Sequence, residues 1–177
     1  SRKLYININP QIYHICFMSS ENEARRNILI PKQPPMFCML LRKYIENGKI
    51  VRVEQPHYER ILEIYIEGYN ELSERINLCL AIELMGKHSN IALYSEKTGM
   101  IYGCAHNVGA EKSRDREMMG NVPYIYPPKQ NKRDFLSYCG SICYETLADD
   151  FLGFSKPFAQ MCKGLDSEKI KDFLELK

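Results

Sequence analysis

The chain has 177 residues, of which 45% are hydrophobic and 26% are charged, and its formal net charge is only +2. This composition is typical of a globular protein and excludes a disordered chain. The small net charge argues against a strongly basic nucleic-acid-binding protein, but it leaves room for a local basic patch. No segment approaches the roughly 20 consecutive apolar residues of a membrane span, so no membrane contact is expected.

The chain contains seven cysteines and no C-x-x-C pair. Most of them lie within apolar segments, as Cys16, Cys38 and Cys79 do. This pattern favours free, buried thiols in a reducing compartment over disulfides. Because the first residues also lack a secretory signal, we expect a cytoplasmic protein. The chain begins close to a strand-like segment and ends within a helical one, so we expect a fragment of a longer protein.

Two short strands are predicted at the start of the chain, over residues 3–8 and 11–18, with a turn at Asn9 and Pro10. A helix is predicted over residues 34–48, with prolines at its start and a glycine at its end. Its apolar residues recur at helical spacing and form one stripe that is expected to face the core. They are Phe37, Leu40, Leu41, Tyr44 and Ile45.

From residue 49 onwards apolar and polar residues alternate, which predicts β-strands. Five successive strands are expected, over residues 49–55, 60–69, 76–85, 90–95 and 100–105. In the third of these, Leu84 belongs to the face that points to the core, whereas Glu83 and Met85 belong to the opposite, mixed face. Because the connections are short and polar, the predicted fold class is α+β, a mainly antiparallel sheet with one packed helix.

The last third of the chain has a different pattern. Residues 107–133 are irregular, and helical spacing follows over residues 135–152, 157–164 and 166–177. Helices joined by short turns are typical of a helical hairpin unit. We therefore predict two domains, residues 1–130 and residues 131–177.

No catalytic or metal site is predicted from the residues. The four histidines are scattered singly, and none belongs to an H-x-x-x-H pattern that could place metal ligands close together. The sequence also lacks a nucleophile elbow and a glycine-rich phosphate loop. We expect neither a cofactor nor an enzymatic activity.

A first group of polar residues, QPHYERI, occupies residues 55–61. Glu59 and Arg60 lie in it, at the entry to a predicted strand. The pair is either part of a functional site or a charge pair that faces solvent at the edge of a sheet. The residues alone leave both interpretations open.

A second group, ELMGKHSN, occupies residues 83–90 between two predicted strands. Gly86 permits a backbone conformation with positive φ, which is typical of a tight hairpin turn. Lys87 and His88 would then form a basic tip rich in hydrogen-bond donors, suited to phosphates or to the edges of a folded RNA. The alternative is a hairpin with no function beyond joining two strands.

The order of several unusual strings resembles one protein family over nearly the whole chain. PPMFCMLLRKYIENGKI is followed by VEQPHYERI, then by IELMGKHSNIAL, and finally by a Ser-x-x-Arg segment that leads to Gly120 and Tyr124-Ile-Tyr-Pro-Pro. This order is similar to the NFACT-N domain of the RqcH/FbpA-like proteins, a ribosome quality-control family long described as fibronectin-binding proteins. Residues 145–165 resemble the start of that family's helix-hairpin-helix domain.

The resemblance implies a fold and a function. The implied fold is similar to the amino-terminal domain of formamidopyrimidine-DNA glycosylases, whose catalytic amino-terminal proline has no counterpart in this chain. The implied protein binds large ribosomal subunits obstructed by peptidyl-tRNA, recruits tRNA (in bacteria tRNA-Ala) and supports carboxyl-terminal alanine tailing of the stalled chain. This chain would be a tRNA- and ribosome-binding module without enzymatic activity. The older family name implies a rival function, a surface adhesin for fibronectin or fibrinogen.

The resemblance also implies site residues. The family's functional Asp-Arg pair falls on Glu59 and Arg60, and its Glu-Ile-Met surface falls on residues 83–85. Glu59 is one methylene longer than the family's aspartate, and Leu84 replaces a β-branched residue. The strand face that carries Glu83 is expected to meet RNA. The predicted tRNA- and ribosome-binding residues are Glu59, Arg60, Glu83, Leu84, Met85, Lys87 and His88.

Overall fold

The structure, a computed structural model, describes residues 2–9, 11–12, 14–19, 32–111, 113 and 115–175. The chain forms two compact units. The first comprises Ser1–Pro56 and Arg60–Pro127, and the second comprises His57–Glu59 and Pro128–Lys177.

The described residues of the first unit form seven antiparallel strands in two sheets. β1 (Arg2–Asn7) and β2 (His14–Ser19) form a two-stranded sheet. The other five strands form one sheet in which each strand neighbours the next one in the chain. They are β3 (Lys49–Glu54), β4 (Ile61–Tyr69), β5 (Arg75–Glu83), β6 (Asn90–Ser95) and β7 (Ile101–Cys104). All seven predicted strands are present, and the predicted α+β fold class is confirmed.

The helix α1 (Met36–Ile45) lies on one side of the five-stranded sheet, which we call the helix face. The predicted apolar stripe of α1 packs there against buried side chains of β4, β5 and β6, including Ile66, Leu80 and Leu93. A side chain at Gly68 of β4 would collide with the carbonyl oxygen of Tyr44, so a glycine is needed for this close approach of helix and strand. The predicted helix and its buried stripe are confirmed.

The opposite side of the sheet, which we call the loop face, is also buried. Its core contains Tyr65, Cys79, Ala81 and Tyr94 from the strands. Described residues that follow β7 in the chain cover it, and none of them lies in a helix or a named strand. They contribute Val108, Met118, Val122 and Tyr124. The central strands are therefore covered on both sides, whereas the alternation in β5 predicted a mixed second face.

The second unit is held together by aromatic side chains. It contains α2 (Leu147–Asp150), α3 (Lys156–Met161) and α4 (Ser167–Glu175). The two later helices agree with the predicted helical spacing. The long helix predicted over residues 135–152 is wrong, because only its last turn is helical.

The physical reason for this error is the packing of aromatic rings. The ring of Phe151 packs edge-to-face on Phe135 at 5.1 Å and on Tyr138 at 4.9 Å between centroids. The amide of Tyr138 donates to the carbonyl oxygen of Phe135 at 3.1 Å, so a single turn brings these two rings together. The spacing of these apolar residues thus comes from a compact turn, and not from a helix.

Candidate functional site

The end of the first polar group, Arg60 and Ile61, lies beside the start of the second group at one end of the sheet. Ile61, the first residue of β4, is paired with Glu83, the last residue of β5. Just beyond this pair, the carbonyl oxygen of Arg60 accepts a hydrogen bond from the amide of Leu84 at 2.8 Å. Pairing of the strands therefore fixes the backbone of Arg60 next to the segment that leads into the β5–β6 turn.

The β5–β6 turn is a short 3-10 helix, Gly86–His88. Gly86 has a φ of 60°, which confirms the predicted positive-φ conformation. The amide of Ser89 donates to the carbonyl oxygen of Gly86 at 3.0 Å, and the Oγ of Ser89 accepts from the amide of Met85, also at 3.0 Å. These bonds make the turn rigid and leave Lys87 and His88 exposed on it.

Asn90, the first residue of β6, ties this turn to the segment that follows β7. Its side-chain amide donates to the carbonyl oxygen of His106 at 2.8 Å, and its Oδ1 accepts from the amide of His106 at 3.0 Å. The side chain is 3% exposed. Asn90 therefore joins the β5–β6 turn to the segment that follows β7 through two hydrogen bonds.

Glu59 and Arg60 are consecutive in sequence but belong to different compact units. Arg60 is exposed, whereas Glu59 is half-buried. Within the second unit, Nε2 of Gln130 donates to a carboxylate oxygen of Glu59 at 3.4 Å. The structure thus brings the backbone of Arg60 next to Leu84 in the first unit, and it assigns Glu59 to the second.

Glu83 is fully buried, at 0% exposure, so the expectation that its strand face is open to RNA is wrong. Both carboxylate oxygens of Glu83 accept from the guanidinium of Arg116: Nη1 lies 2.7 Å from Oε1, and Nη2 contacts Oε2. The hydroxyl of Tyr124 donates to the same Oε1 at 2.8 Å. The physical reason for burial is this ion pair, which compensates the carboxylate under the covering residues of the loop face.

Leu84 and Met85 are both half-buried. Leu84 packs against the core of the helix face, as its position in the alternation predicted. Neither side chain is therefore presented to solvent in the way that Lys87 and His88 are.

A second buried carboxylate, Glu63, was not predicted from the sequence. It is 2% exposed and accepts hydrogen bonds from the phenol groups of Tyr94 at 2.8 Å, Tyr126 at 2.6 Å and Tyr65 at 3.0 Å. The signal that could have found it is an acidic residue on the inward side of an apolar strand, together with alternate tyrosines at 124 and 126. These phenols and carboxylates form one polar layer within the loop face.

Burial in this layer stabilises the neutral form of each phenol. It raises the pKa of Tyr65 to about 12, above the ordinary value of about 10. Burial is also the main cause that raises the pKa values of Tyr94 and Tyr124, and the nearby carboxylates of Glu63 and Glu83 add to it. The phenols are therefore hydrogen-bond donors at neutral pH.

Within the part of the chain that the structure describes, no three His, Cys, Asp or Glu side chains come together as metal ligands would. No helix among those residues has the length and apolar character to cross a bilayer. The seven cysteines are all described, and all carry free thiols.

Nearly the whole chain matches one family. Residues 1–174 match the family model described as NFACT N-terminal and middle domains. Because this match covers nearly the entire chain, the chain belongs to that family, as the resemblance of its strings indicated.

Curated relatives carry the name Rqc2 homolog. The Rqc2 homolog RqcH of Bacillus subtilis is 34% identical over 134 residues, which cover 75% of this chain and 22% of the relative. The archaeal Rqc2 homolog aRqcH of Methanocaldococcus jannaschii is 31% identical over 153 residues, which cover 86% of this chain and 20% of the relative. The chain therefore spans about a fifth of the length of these relatives.

Solved structures share the fold. The amino-terminal domain of the fibronectin-binding protein PavA from Streptococcus pneumoniae matches with a TM-score of 0.80 at 27% identity, over 98% of this chain and 70% of that one. The amino-terminal part of the fibronectin/fibrinogen-binding protein from Streptococcus suis matches with a TM-score of 0.82 at 23% identity, over 98% and 68%. The second likeness supports the fold alone.

Proposed function

We propose that this chain is the tRNA- and large-ribosomal-subunit-binding part of a ribosome-associated quality-control factor. The observation that carries the proposal is the family match over residues 1–174, supported by relatives named Rqc2 homolog. The whole protein would act in the cytoplasm on large subunits obstructed by peptidyl-tRNA, recruit tRNA-Ala and support alanine tailing of the stalled chain. This part would contribute binding and no catalysis.

The proposed RNA contacts are Arg60, Lys87 and His88. Their support is that all three are exposed and that the hydrogen bond from the Leu84 amide to Arg60 holds their two segments together. Hydrogen-bond donors on a rigid backbone, two of them the cations Arg60 and Lys87, suit phosphate contacts, which position a nucleic acid without reading its sequence.

For Glu59 we propose a different contact. A carboxylate accepts hydrogen bonds from a ribose hydroxyl or a base amino group, and it repels phosphate. Glu59 would therefore accept a hydrogen bond from a hydroxyl or amino group of the RNA, and it would not contact the RNA phosphates.

The near-neutral net charge fits binding through a few placed groups. Each phosphate contact releases counterions, so the number of contacts sets how steeply affinity falls with salt. With a net charge of +2, we expect a shallow salt dependence and recognition based on the shape of the RNA.

The test is recovery of RNA bound to the protein from cell extract, followed by sequencing, for the wild type, Arg60→Ala and Lys87→Ala. Arg75→Ala is the matched control, because Arg75 is exposed at the opposite end of β5. We expect one tRNA species and large-subunit RNA to be enriched with the wild type and the control, and to be reduced with both site variants.

The competing function is fibronectin binding, which the solved relatives carry in their names. The same purified protein is therefore tested against immobilised fibronectin. Tight fibronectin binding, together with no tRNA or ribosomal RNA above background, would overturn the proposal.

A further inference from the structure

Tyr58 has a backbone conformation that is costly for an aromatic residue. It is the last residue of a short 3-10 helix, Pro56–Tyr58, and its φ is 57°. Bulky residues rarely adopt positive φ, because the Cβ atom then lies too close to the following carbonyl oxygen. Such a conformation persists only where the surrounding structure holds it. The contacts of Tyr58 therefore have to offset the cost of its backbone.

The ring of Tyr58 packs within the second unit, to which Tyr58 and Gly153 both belong. A Cβ atom built on Gly153 would lie 3.2 Å from Cδ1 of Tyr58 and 3.3 Å from Cδ2 of Leu174. The ring and the leucine side chain thus lie against the backbone of this glycine. Gly153 itself has a φ of 82°, which favours glycine at the position where the ring needs the room.

The surroundings of the phenol agree with this packing. Tyr58 is half-buried, and burial is the main cause that raises the pKa of its phenol above the ordinary value. The carboxylates of Asp134 and Glu175, both in the second unit, add to the rise in pKa. The phenol is therefore neutral at physiological pH, and a phenylalanine at this position would keep the packing of the ring.

Glu59, the proposed hydrogen-bond acceptor for RNA, follows Tyr58 directly. Its side chain has three rotatable bonds, so a carboxylate that is not held would lose side-chain entropy on binding RNA. Two features restrict it within the second unit. The anchored ring of Tyr58 fixes the backbone in front of it, and Nε2 of Gln130 donates to its carboxylate at 3.4 Å. The carboxylate is thus oriented before RNA binds.

The alternative is that Tyr58 only stabilises the second unit. The strain argues for more than packing, because the other described non-glycine residues with positive φ are the small polar residues Asn47, Ser73 and Asn121. A bulky residue in this conformation, next to a binding residue, is typical of sites where strain contributes to preorganisation. The position of Tyr58 directly before Glu59 therefore favours a role in binding.

We propose that Tyr58 is a positioning residue, whose ring, anchored against Gly153, holds the carboxylate of Glu59 in place to accept a hydrogen bond from RNA. The inference rests on the RNA binding proposed above and deepens it, because a residue that need not touch RNA sets the orientation of one that does. The contacts that carry it all lie within the second unit.

The test is a double-mutant cycle on the binding of tRNA-Ala to the full chain. Dissociation constants are measured for the wild type, Glu59→Ala, Tyr58→Gly and the variant with both changes. Glycine removes the ring and adopts positive φ without strain, so the second unit is expected to stay folded. Tyr58→Asn is a second variant without the ring, since asparagine also tolerates positive φ. Tyr58→Phe keeps the ring and should bind as the wild type does.

The matched control is Tyr144→Ala, which also removes a half-buried ring from the second unit. The ring of Tyr144 packs against the aromatic core, and its hydroxyl donates to the carbonyl oxygen of Leu165 at 2.7 Å. This variant should lower the thermal stability of the protein and leave the dissociation constant for tRNA-Ala unchanged. It therefore separates destabilisation of the unit from loss of positioning.

Glu59→Ala and each variant of Tyr58 without the ring should weaken binding by about 10-fold, as the loss of one hydrogen bond would. The double variant should bind no more weakly than Glu59→Ala, because Tyr58 acts through Glu59. Effects that multiply, wild-type affinity in a folded variant without the ring, or loss of folding in both such variants would overturn the positioning role. If the wild type binds no tRNA-Ala, the proposed function itself fails.

Discussion

Glu63 and Glu83 lie on the same face of the sheet on adjacent strands, because Glu63 is paired with Ala81, two residues before Glu83. Both carboxylates are almost fully buried. Glu83 is compensated by the guanidinium of Arg116 and one phenol, whereas Glu63 is held by three phenols. The stability of the first unit therefore depends on the positive charge of Arg116 beside Glu83 and on the phenol donors around Glu63.

Removing the counter-charge is expected to destabilise the first unit strongly. Arg116→Met leaves Glu83 buried without a cation, which should lower the free energy of unfolding by about 3–5 kcal/mol. Urea unfolding measures this loss. In the double variant with Glu83→Gln the buried charge is gone, so a smaller loss is expected than in Arg116→Met alone.

The control for this prediction is Arg75→Met. Arg75 pairs with Glu67 at 3.7 Å on the surface, with 66% of its side chain exposed, and such pairs contribute about 0–1 kcal/mol. Equal effects of Arg75→Met and Arg116→Met would contradict the role given to the buried pair.

Removing one phenol from Glu63 should have a moderate effect. Tyr126→Phe deletes the hydroxyl that donates to Glu63 at 2.6 Å. Because Tyr126 is 44% exposed, we expect a loss near the lower end of the about 1.5–3 kcal/mol that hydrogen bonds to charged groups contribute. Chemical denaturation is expected to show a loss of this size. Tyr69→Phe, at a tyrosine that is 52% exposed, should change stability by less than about 0.5 kcal/mol. The prediction is wrong if the two variants are equally stable.

The buried phenols also predict a loss of stability at alkaline pH. Burial raises the pKa of Tyr65 to about 12 in the folded state, from about 10 in the unfolded chain. The folded state therefore keeps a proton that the unfolded state loses between these values, so stability is intact below about pH 10 and falls as pH rises towards 12. Tyr65 alone contributes about 1.4 kcal/mol per pH unit in this window.

Urea denaturation at about pH 9 and pH 11 measures this fall, and tyrosinate absorbance follows the ionisation itself. Tyr65→Phe should lose less stability than the wild type across the same interval, because it has one titrating group fewer. An identical fall in both proteins would contradict the assignment to Tyr65.

The thiols are predicted to react in two classes. Burial raises the pKa values of Cys79 and Cys104 to about 12, and the thiolate is the reactive form. Cys139 and Cys143 are exposed. Alkylation of the native protein followed by mass spectrometry should modify Cys139 and Cys143 first, and the buried pair only after denaturation. Equal rates in the native protein would contradict the burial of Cys79 and Cys104.

The strands were predictable because a half-buried or buried strand leaves a period of two in the sequence. β5 shows this well, since the alternation correctly gave Leu84 to the helix face. The helical interpretation of residues 135–152 failed because Phe135 and Tyr138 have the same spacing in a turn as in a helix. Periodicity reports which residues are apolar and leaves open how the backbone brings them together.

The site was predictable in part. The turn at Gly86 and the exposure of Lys87 and His88 follow from local sequence. The burial of Glu83 does not, because its partner Arg116 lies in an irregular segment 33 residues away. No local pattern links an acidic residue to such a partner. The sequence therefore predicts a mixed second face of β5, whereas the structure shows that this face is covered.

The order of synthesis has a consequence for the polar layer of the loop face. The donors to the two carboxylates come later in the chain, up to 63 residues after Glu63 for Tyr126 and 41 residues after Glu83 for Tyr124. While a ribosome is still translating β7, Glu83 has none of these donors, and closing such long loops slows folding. The sheet can pair its strands early, but its loop face becomes stable only when residues 116–126 have been made and have folded back over it.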